Sequence, residues 1–284
     1  MLISVIFTTY NSPKWLEKVI WGFLQQDDRN FELVVADDGS KEETRDLIRR
    51  YQNEGGIPIR HVWQKDDGFQ KCKILNKAIV AAKGDYIVMT DGDCIPRRDF
   101  VSVHRHCAEP GHFLSGGYFK LPMSTSEQIS RDDIVSGRCF DKQWLIDHGV
   151  KPSIKFMKIS AGPLRARIFN ALTTTNRSWN GHNASCWKKD ALLVNGFDER
   201  MKYGGLDAEF GWRLKHSGIR AKQIRYSAIC VHLDHARAYV NDDDWKRNRD
   251  IRNKTVSEKL VETPAGIKQL ESSAGDGSEY LRTD

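Results

Sequence analysis

Cysteine pairs in C-x-x-C spacing are missing from this 284-residue sequence: Cys72, Cys94, Cys107, Cys139, Cys186 and Cys230 are scattered. That excludes a zinc ribbon, argues against a secreted disulfide framework and leads us to expect reduced thiols. Long apolar runs are missing too; the stretch 86–89 ends after a few residues, far short of the roughly 18–20 needed to cross a bilayer. The N-terminus carries neither a basic segment nor a small-residue cleavage site, so the cytoplasm is the expected compartment. Hydrophobic residues make up 39%, aromatics 10% and charged residues 29%, the balance of a soluble globular chain long enough for one large α/β domain or two small ones.

Charge of one sign is scarce in one place. Against a net charge of +6, the segment 142–189 holds nine Lys and Arg and a single acid, Asp147. Such a segment suits phosphates, either of a lipid-linked substrate or of an anionic membrane face, at roughly 1 kcal/mol per basic residue near the surface; the alternative is a solvated basic face. No recognition motif for nucleic acid accompanies it.

The first hundred residues alternate β-rich runs with helical periodicity, which predicts βαβ units and a largely parallel sheet. Strands are expected at 2–8, 31–36, 59–63 and 86–90, and helices at 14–25, 42–52 and 71–82, the first opened by Ser12 as N-cap and Pro13 in the first turn. Beyond Pro96 the pattern loosens, with a strand expected near 112–119 and a helix over 206–216. Residues 1–240 read as one domain, and 241–284 as a charged, partly helical extension with a disordered end over 272–284.

Ligands of open α/β sheets sit beyond the carboxyl ends of the strands. Three polar clusters fall there: Thr8-Thr9-Tyr10-Asn11, Asp37-Asp38, and Asp91-Gly92-Asp93. Two carboxylates two residues apart can hold a hard divalent cation and leave positions for phosphate oxygens, although an isolated D-x-D is equally a strand-end turn.

Taken in order, SVIFTTYNSPKWLEKVIWGFLQQ, FELVVADDGS and AAKGDYIVMTDGD resemble the family 2 glycosyltransferases. In the second half, FQKCKILNKAI, TDGDCIP, NGF, YGGLDAEFGWRL and CVHLDHAR resemble blocks of the β-1,4-galactosyltransferase C-terminal region and of bacterial chondroitin polymerase. The resemblance spans about residues 3 to 237. It implies the GT-A nucleotide-diphospho-sugar transferase fold, a Rossmann-like, mostly parallel central sheet flanked by helices.

Residue by residue, the resemblance puts Thr8, Tyr10 and Asn11 at the nucleotide, Asp38 on the uracil or ribose, and Asp91 near the ribose. Lys71 stands where the galactosyltransferases have an arginine; it keeps the charge and loses the bidentate fork. Asp93 and His235 match metal ligands, and His232 falls where a methionine approaches the metal. Two imidazoles would tilt the site from Mg2+ toward Mn2+. In Tyr203-Gly204-Gly205-Leu206-Asp207-Ala208-Glu209, Asp207 holds the position of the general base, with Glu209 as the alternative. Leu206 replaces a glutamate that helps bind the acceptor. Tyr203, Gly204, Gly205 and Asn183, with Ser185 and Trp187 beside it, are assigned to the sugar pocket.

The function expected is a metal-dependent inverting glycosyltransferase. It would move galactose, N-acetylgalactosamine or glucose from a UDP-sugar to a glycan hydroxyl, free or lipid-linked, in bacterial surface polysaccharide synthesis such as lipopolysaccharide. A sugar-phosphate nucleotidylyltransferase would need a glycine-rich loop where Thr8-Thr9-Tyr10-Asn11 stands. A non-catalytic nucleotide- or carbohydrate-binding module would be expected to have lost the base or a metal ligand.

Overall fold

A computed structural model describes residues 1–235 and 241–269. The first half runs β1 (Ile3–Thr9), α1 (Pro13–Leu24), β2 (Phe31–Asp37), α2 (Glu42–Glu54), β3 (Ile59–Trp63), α3 (Lys71–Ala81), β4 (Tyr86–Asp91), β5 (Cys94–Pro96) and α4 (Phe100–Cys107). There follow β6 (His112–Ser115), β7 (Gly117–Lys120), α5 (Met123–Gln128), α6 (Arg131–Ser136), α7 (Lys142–Asp147), α8 (Met157–Ser160) and α9 (Pro163–Leu172). The remainder is β8 (Ala184–Trp187), α10 (Lys188–Leu193), α11 (Leu206–His216), β9 (Arg220–Gln223), β10 (Ile229–His232) and α12 (Asp242–Ser257).

The main sheet has the order β3-β2-β1-β4-β8-β6-β9. From β3 to β4 every pairing is parallel, while β8 runs antiparallel to both β4 and β6. A small second sheet, β5-β10-β7, lies at its carboxyl edge. Alternation along β1 builds a layer on each face, as a period of two requires. Ile3, Val5 and Phe7 enter one core with Leu16, Val19, Ile20 and Phe23 of α1. Ile6 enters the other with Ile74, Leu75, Ala78 and Ile79 of α3.

The expected strands and helices of the first ninety residues form within a residue or two of their bounds. Ser12 is the N-cap of α1 by position, but its side chain makes no capping bond. The single strand expected near 112–119 is two strands in different sheets, because the chain crosses from one to the other at Gly116. There the Gly116 amide donates to the Asn183 carbonyl, and the Asn183 carboxamide donates to Gly117.

Residues 242–269 are knit into the same body. Asn248 of α12 donates to the carbonyls of Lys202, Tyr203 and Gly204 at 2.8–3.1 Å, and Ile267 lies 3% exposed in the α3-side core. The stretch 272–284, expected to be disordered, lies outside the described residues. No helix among those described is long and apolar enough to cross a membrane.

Candidate active site

A cleft of about 720 Å³ opens beyond the carboxyl ends of β1, β2 and β4, within the size range of small-molecule sites. Thr8, Tyr10, Asn11, Asp38, Lys71, Asp91, Asp93, Tyr203, Gly204, Gly205, Asp207, His232 and His235 all line it. Its shape follows from the end of the parallel sheet: Thr8 pairs with Asp91 in the ladder, and the Gly92 amide then donates to the Thr8 carbonyl at 3.0 Å. A Cβ on Gly92 would lie 2.5 Å from that oxygen, so the turn admits only glycine.

At one end the neighbours Asp37 and Asp38 part company. Asp37 is structural, accepting from the Ser40 amide at 2.8 Å and lying 2.9 Å from His61. Asp38 accepts from the Gln64 side chain at 2.6 Å and the Gln70 amide at 2.9 Å. Burial pushes its carboxyl up to about 6 against those two donors, and each oxygen keeps a lone pair for another N–H or O–H. Tyr10 is 50% exposed and donates its hydroxyl to Asp66 at 2.9 Å, which leaves a ring face open to the cleft. Asn11, at φ +46, accepts from the Lys41 amide at 2.9 Å and so ties the β1 end to the α2 start.

In the middle, Lys71 at the first turn of α3 bonds Asp91 at 2.7 Å. Burial works against the lysine charge, yet Asp91, Asp207 and Asp93 together hold it above the ordinary value. Burial likewise opposes ionised Asp91, but the Lys71 ammonium outweighs it and holds the carboxyl at about 2.

Asp93 faces two imidazoles, with His235 Nε2 at 3.1 Å and His232 Nε2 at 3.7 Å. Ligands on adjacent corners of a six-coordinate ion with bonds near 2.1 Å stand about 3 Å apart, so the carboxylate and His235 suit one ion, and a small shift brings His232 in. Nδ1 of His232 is buried with no partner among the described residues. The Cys94 thiol lies close to this cluster, but burial pushes it well above its ordinary value, so it remains a thiol. An oxygen donor with two nitrogens suits Mn2+ better than the harder Mg2+, which prefers oxygen ligands.

At the other end, Gly204 (φ +102) and Gly205 (φ +79) turn the chain into α11, whose first turn carries Asp207. The Gly181 amide donates to its carboxylate, and Oδ1 has no hydrogen-bond partner among the described residues. Burial raises this carboxyl to about 6, Lys71 pulling it down and Asp91 pushing it up. A partly buried carboxylate with a vacant lone pair and a value near neutrality is equipped to take a proton.

Two expectations fail here. Glu209, the alternative base, points away from the cleft: it is 1% exposed, clamped by Arg213 at 2.7 and 2.8 Å and by the Thr255 hydroxyl at 2.9 Å. Two residues along a helix turn a side chain through about 200°, so Asp207 and Glu209 cannot share a face. Asn183 does not reach the sugar pocket either. It is fully buried, donating to the carbonyls of Gly117 and Ala228 and meeting His104 at 3.0 Å. Ser185 is buried against Tyr86 and His104, and Trp187 reaches the Glu109 carbonyl.

Two other cleft residues lie outside the motifs singled out in the sequence, His182 with no signal there. His182 lies edge-on to Tyr118, ring centroids 4.4 Å apart, and burial lowers it to about 4, a neutral imidazole. Trp245 of α12 lies against Gly204, its ring 6.1 Å from that of Tyr203. Its signal was an aromatic inside an otherwise charged segment.

Comparison with known proteins bears on the family and the fold. Residues 4–109 match the family model described as glycosyl transferase family 2. Chondroitin synthase of Pasteurella multocida is 26% identical over 91% of this chain and 27% of its own length. The chain spans about a quarter to two fifths of the length of the curated relatives it matches first. Among solved structures, the mannosyltransferase PcManGT of Pyrobaculum calidifontis, in complex with GDP-Man and Mn2+, gives a TM-score of 0.57 at 18% identity, covering 97% of this chain and 76% of that one. TarS 1-349 of Staphylococcus aureus in complex with UDP-GlcNAc gives 0.59 at 17% identity, covering 95% and 69%. At these identities the structural likeness shows the fold, that of the GT-A glycosyltransferases.

Proposed function

We propose that this chain, which carries a family 2 glycosyltransferase domain, is a metal-dependent inverting transferase that moves a sugar from a UDP-sugar to a glycan hydroxyl. The observation that carries the reading is the facing of two chemistries in one cleft. Asp93 and two imidazoles lie at the strand ends, and the raised, partly unpartnered carboxylate of Asp207 lies at the α11 end. Relatives named as chondroitin and hyaluronan synthases and the UDP-GlcNAc complex of TarS favour a UDP donor and a bacterial surface glycan as product.

Asp38 accepts an N–H or hydroxyl from the uridine, Tyr10 stacks on the base, and Thr8 and Asn11 shape the nucleoside floor. Lys71 faces the diphosphate and keeps Asp91 ionised. A divalent ion held by Asp93, His235 and His232 would supply Lewis-acid stabilisation to the departing diphosphate. Asp207 takes the proton from the acceptor hydroxyl, which attacks the anomeric carbon from the side opposite the nucleotide. Tyr203 and Trp245 form an aromatic wall for the acceptor ring, beside the space opened by Gly204 and Gly205. General-base assistance contributes about 10² to 10⁴ in rate, and positioning adds to it. The reaction is placed in the cytoplasm, where nucleotide-sugars are made, with an acceptor that is a free or lipid-linked glycan.

The test is calorimetric titration of UDP with and without Mn2+, on the native protein and on Asp93→Ala, followed by a UDP-release screen over UDP-sugars. Mn2+-dependent UDP binding that Asp93→Ala abolishes is the expected result. Absence of UDP binding alongside GDP binding would transfer the reading to a GDP-sugar, the donor type in the PcManGT complex, and binding of neither would overturn it.

A further inference from the structure

Helix α9 is anchored along one side only. At about 100° per residue, Ala166, Phe169 and Asn170 share a face. Ala166 is 2% exposed, Phe169 meets the Tyr226 ring at 5.4 Å, and Asn170 bonds the Ser227 hydroxyl and the Tyr226 amide. The opposite face carries Leu164, Ile168 and Leu172, one turn apart, at 71%, 47% and 74% exposure. Arg165 and Arg167, both exposed, flank this stripe, one on either side.

The preceding segment repeats the pattern. Ile154 is 81% exposed, with Lys151 and Lys155 exposed around it. Between Asp147 and Asp190 there is no acidic residue, so the positive charge of this surface is not neutralised by its own segment. Single exposed apolar side chains are ordinary. An aligned apolar stripe between two arginines, on a helix whose other face is packed, is the pattern of a helix lying in a lipid interface.

We propose that this face docks on an anionic bilayer, Leu164, Ile168 and Leu172 entering the acyl boundary and the flanking Arg and Lys meeting lipid phosphates. The charge complementarity selects anionic lipid over a neutral surface. Lys158 of α8 donates to the carbonyl of Tyr118 at 3.0 Å, and Tyr118 lines the cleft, so the segment that carries the docking face adjoins the cleft. The docking goes beyond the transferase reading and does not depend on which sugar is moved.

The experiment is co-sedimentation of the full chain with vesicles of phosphatidylcholine alone or mixed with phosphatidylglycerol, at low and high salt. Pelleting with the anionic vesicles only, lost at high salt, is expected. Arg165→Glu with Arg167→Glu should weaken it at least about tenfold, and Leu164→Ser with Leu172→Ser should weaken it comparably. All four side chains are exposed, so an unchanged thermal midpoint serves as the folding control. Failure of the native chain to pellet, equal pelleting with neutral vesicles, or unweakened variants would overturn the proposal. So would a dimer in sedimentation velocity that Leu164→Ser with Leu172→Ser dissolves, which would assign the stripe to a second copy. No donor or metal is present in the assay, so its outcome and that of the UDP titration are independent.

Discussion

Replacing Lys71 by methionine should move the acid limb of the activity profile to higher pH. In the native fold, burial raises Asp207 to about 6, and the Lys71 ammonium is the strongest influence holding it from going higher. A general base works ionised, so kcat/KM should rise with pH through about 6, and at pH 7 about nine tenths of Asp207 is ready to act. A nearby cation depresses a carboxyl by roughly one to three units, so removing this one moves the limb to between about 7 and 9. At pH 7 the variant then loses roughly two- to ninety-fold, recovered as pH passes the new limb. UDP release at subsaturating donor and acceptor, followed from pH 5 to 10 at constant Mn2+, separates this from lost nucleotide contact, which lowers the plateau and leaves the midpoint. A limb that stays near 6 in Lys71→Met would refute the coupling, and a native profile with no acid limb would refute Asp207 as base. Stability carries the same sign. Because the folded value lies above the unfolded 3.8, this carboxyl contributes a loss of stability as pH rises from about 4 to about 6, and in the variant the loss extends upward. Urea midpoints across that range check it.

Other outcomes follow from the same geometry. Glu209→Gln leaves the Arg213 guanidinium buried without its carboxylate, a cost of about 3–5 kcal/mol, while the acid limb of the surviving activity stays in place; disappearance of that limb would restore Glu209 as base. Gly181→Ala puts a Cβ 2.7 Å from Asp207 Oδ1 and should lower kcat about a hundredfold with UDP affinity unchanged, which calorimetry beside steady-state kinetics reads directly. Gly204→Ala combines φ +102 with a Cβ 2.8 Å from the Trp245 ring; a loss of about 1–3 kcal/mol in thermal unfolding and a raised acceptor KM are expected.

The parallel half of the fold could be read from the sequence because both its periods are strong there. Strand β1 is buried along nearly its whole length, and α1 and α3 place apolar residues on one side at helical spacing. The region after Pro96 was harder for a physical reason. Strands β6 to β10 have four residues each, too few for alternation to show, and their partners are remote: β8 adds antiparallel to β4 across about a hundred residues. The crossing at Gly116 depends on the buried Asn183 carboxamide, a contact between distant segments that no local pattern records. At the C-terminus, the charges of α12 conceal an anchoring residue. Asn248, 1% exposed, faces inward, and Trp245 lines the cleft, amid residues that are charged.

The site shows the same division between what a motif can and cannot express. Asp38 and Asp93 stand out in polar clusters at strand ends, whereas Asp207 and the two histidines are legible only through the resemblance to the galactosyltransferases. Glu209, the alternative to Asp207, is excluded by the helix phase, which sends the two carboxylates to opposite sides of α11 and gives Glu209 to Arg213. What no single motif contained is the arrangement around Lys71, where one ammonium answers both Asp91 at the end of β4 and Asp207 at the start of α11. That shared cation links the two ends of the cleft. In the proposed reading, the charge that faces the diphosphate also sets the proton affinity of the base, so a change at one end is felt at the other through a single side chain. A burial-raised carboxylate and a carboxylate held near 2 can stand in one cleft only because they divide that charge unequally, Asp91 by direct contact and Asp207 at longer range.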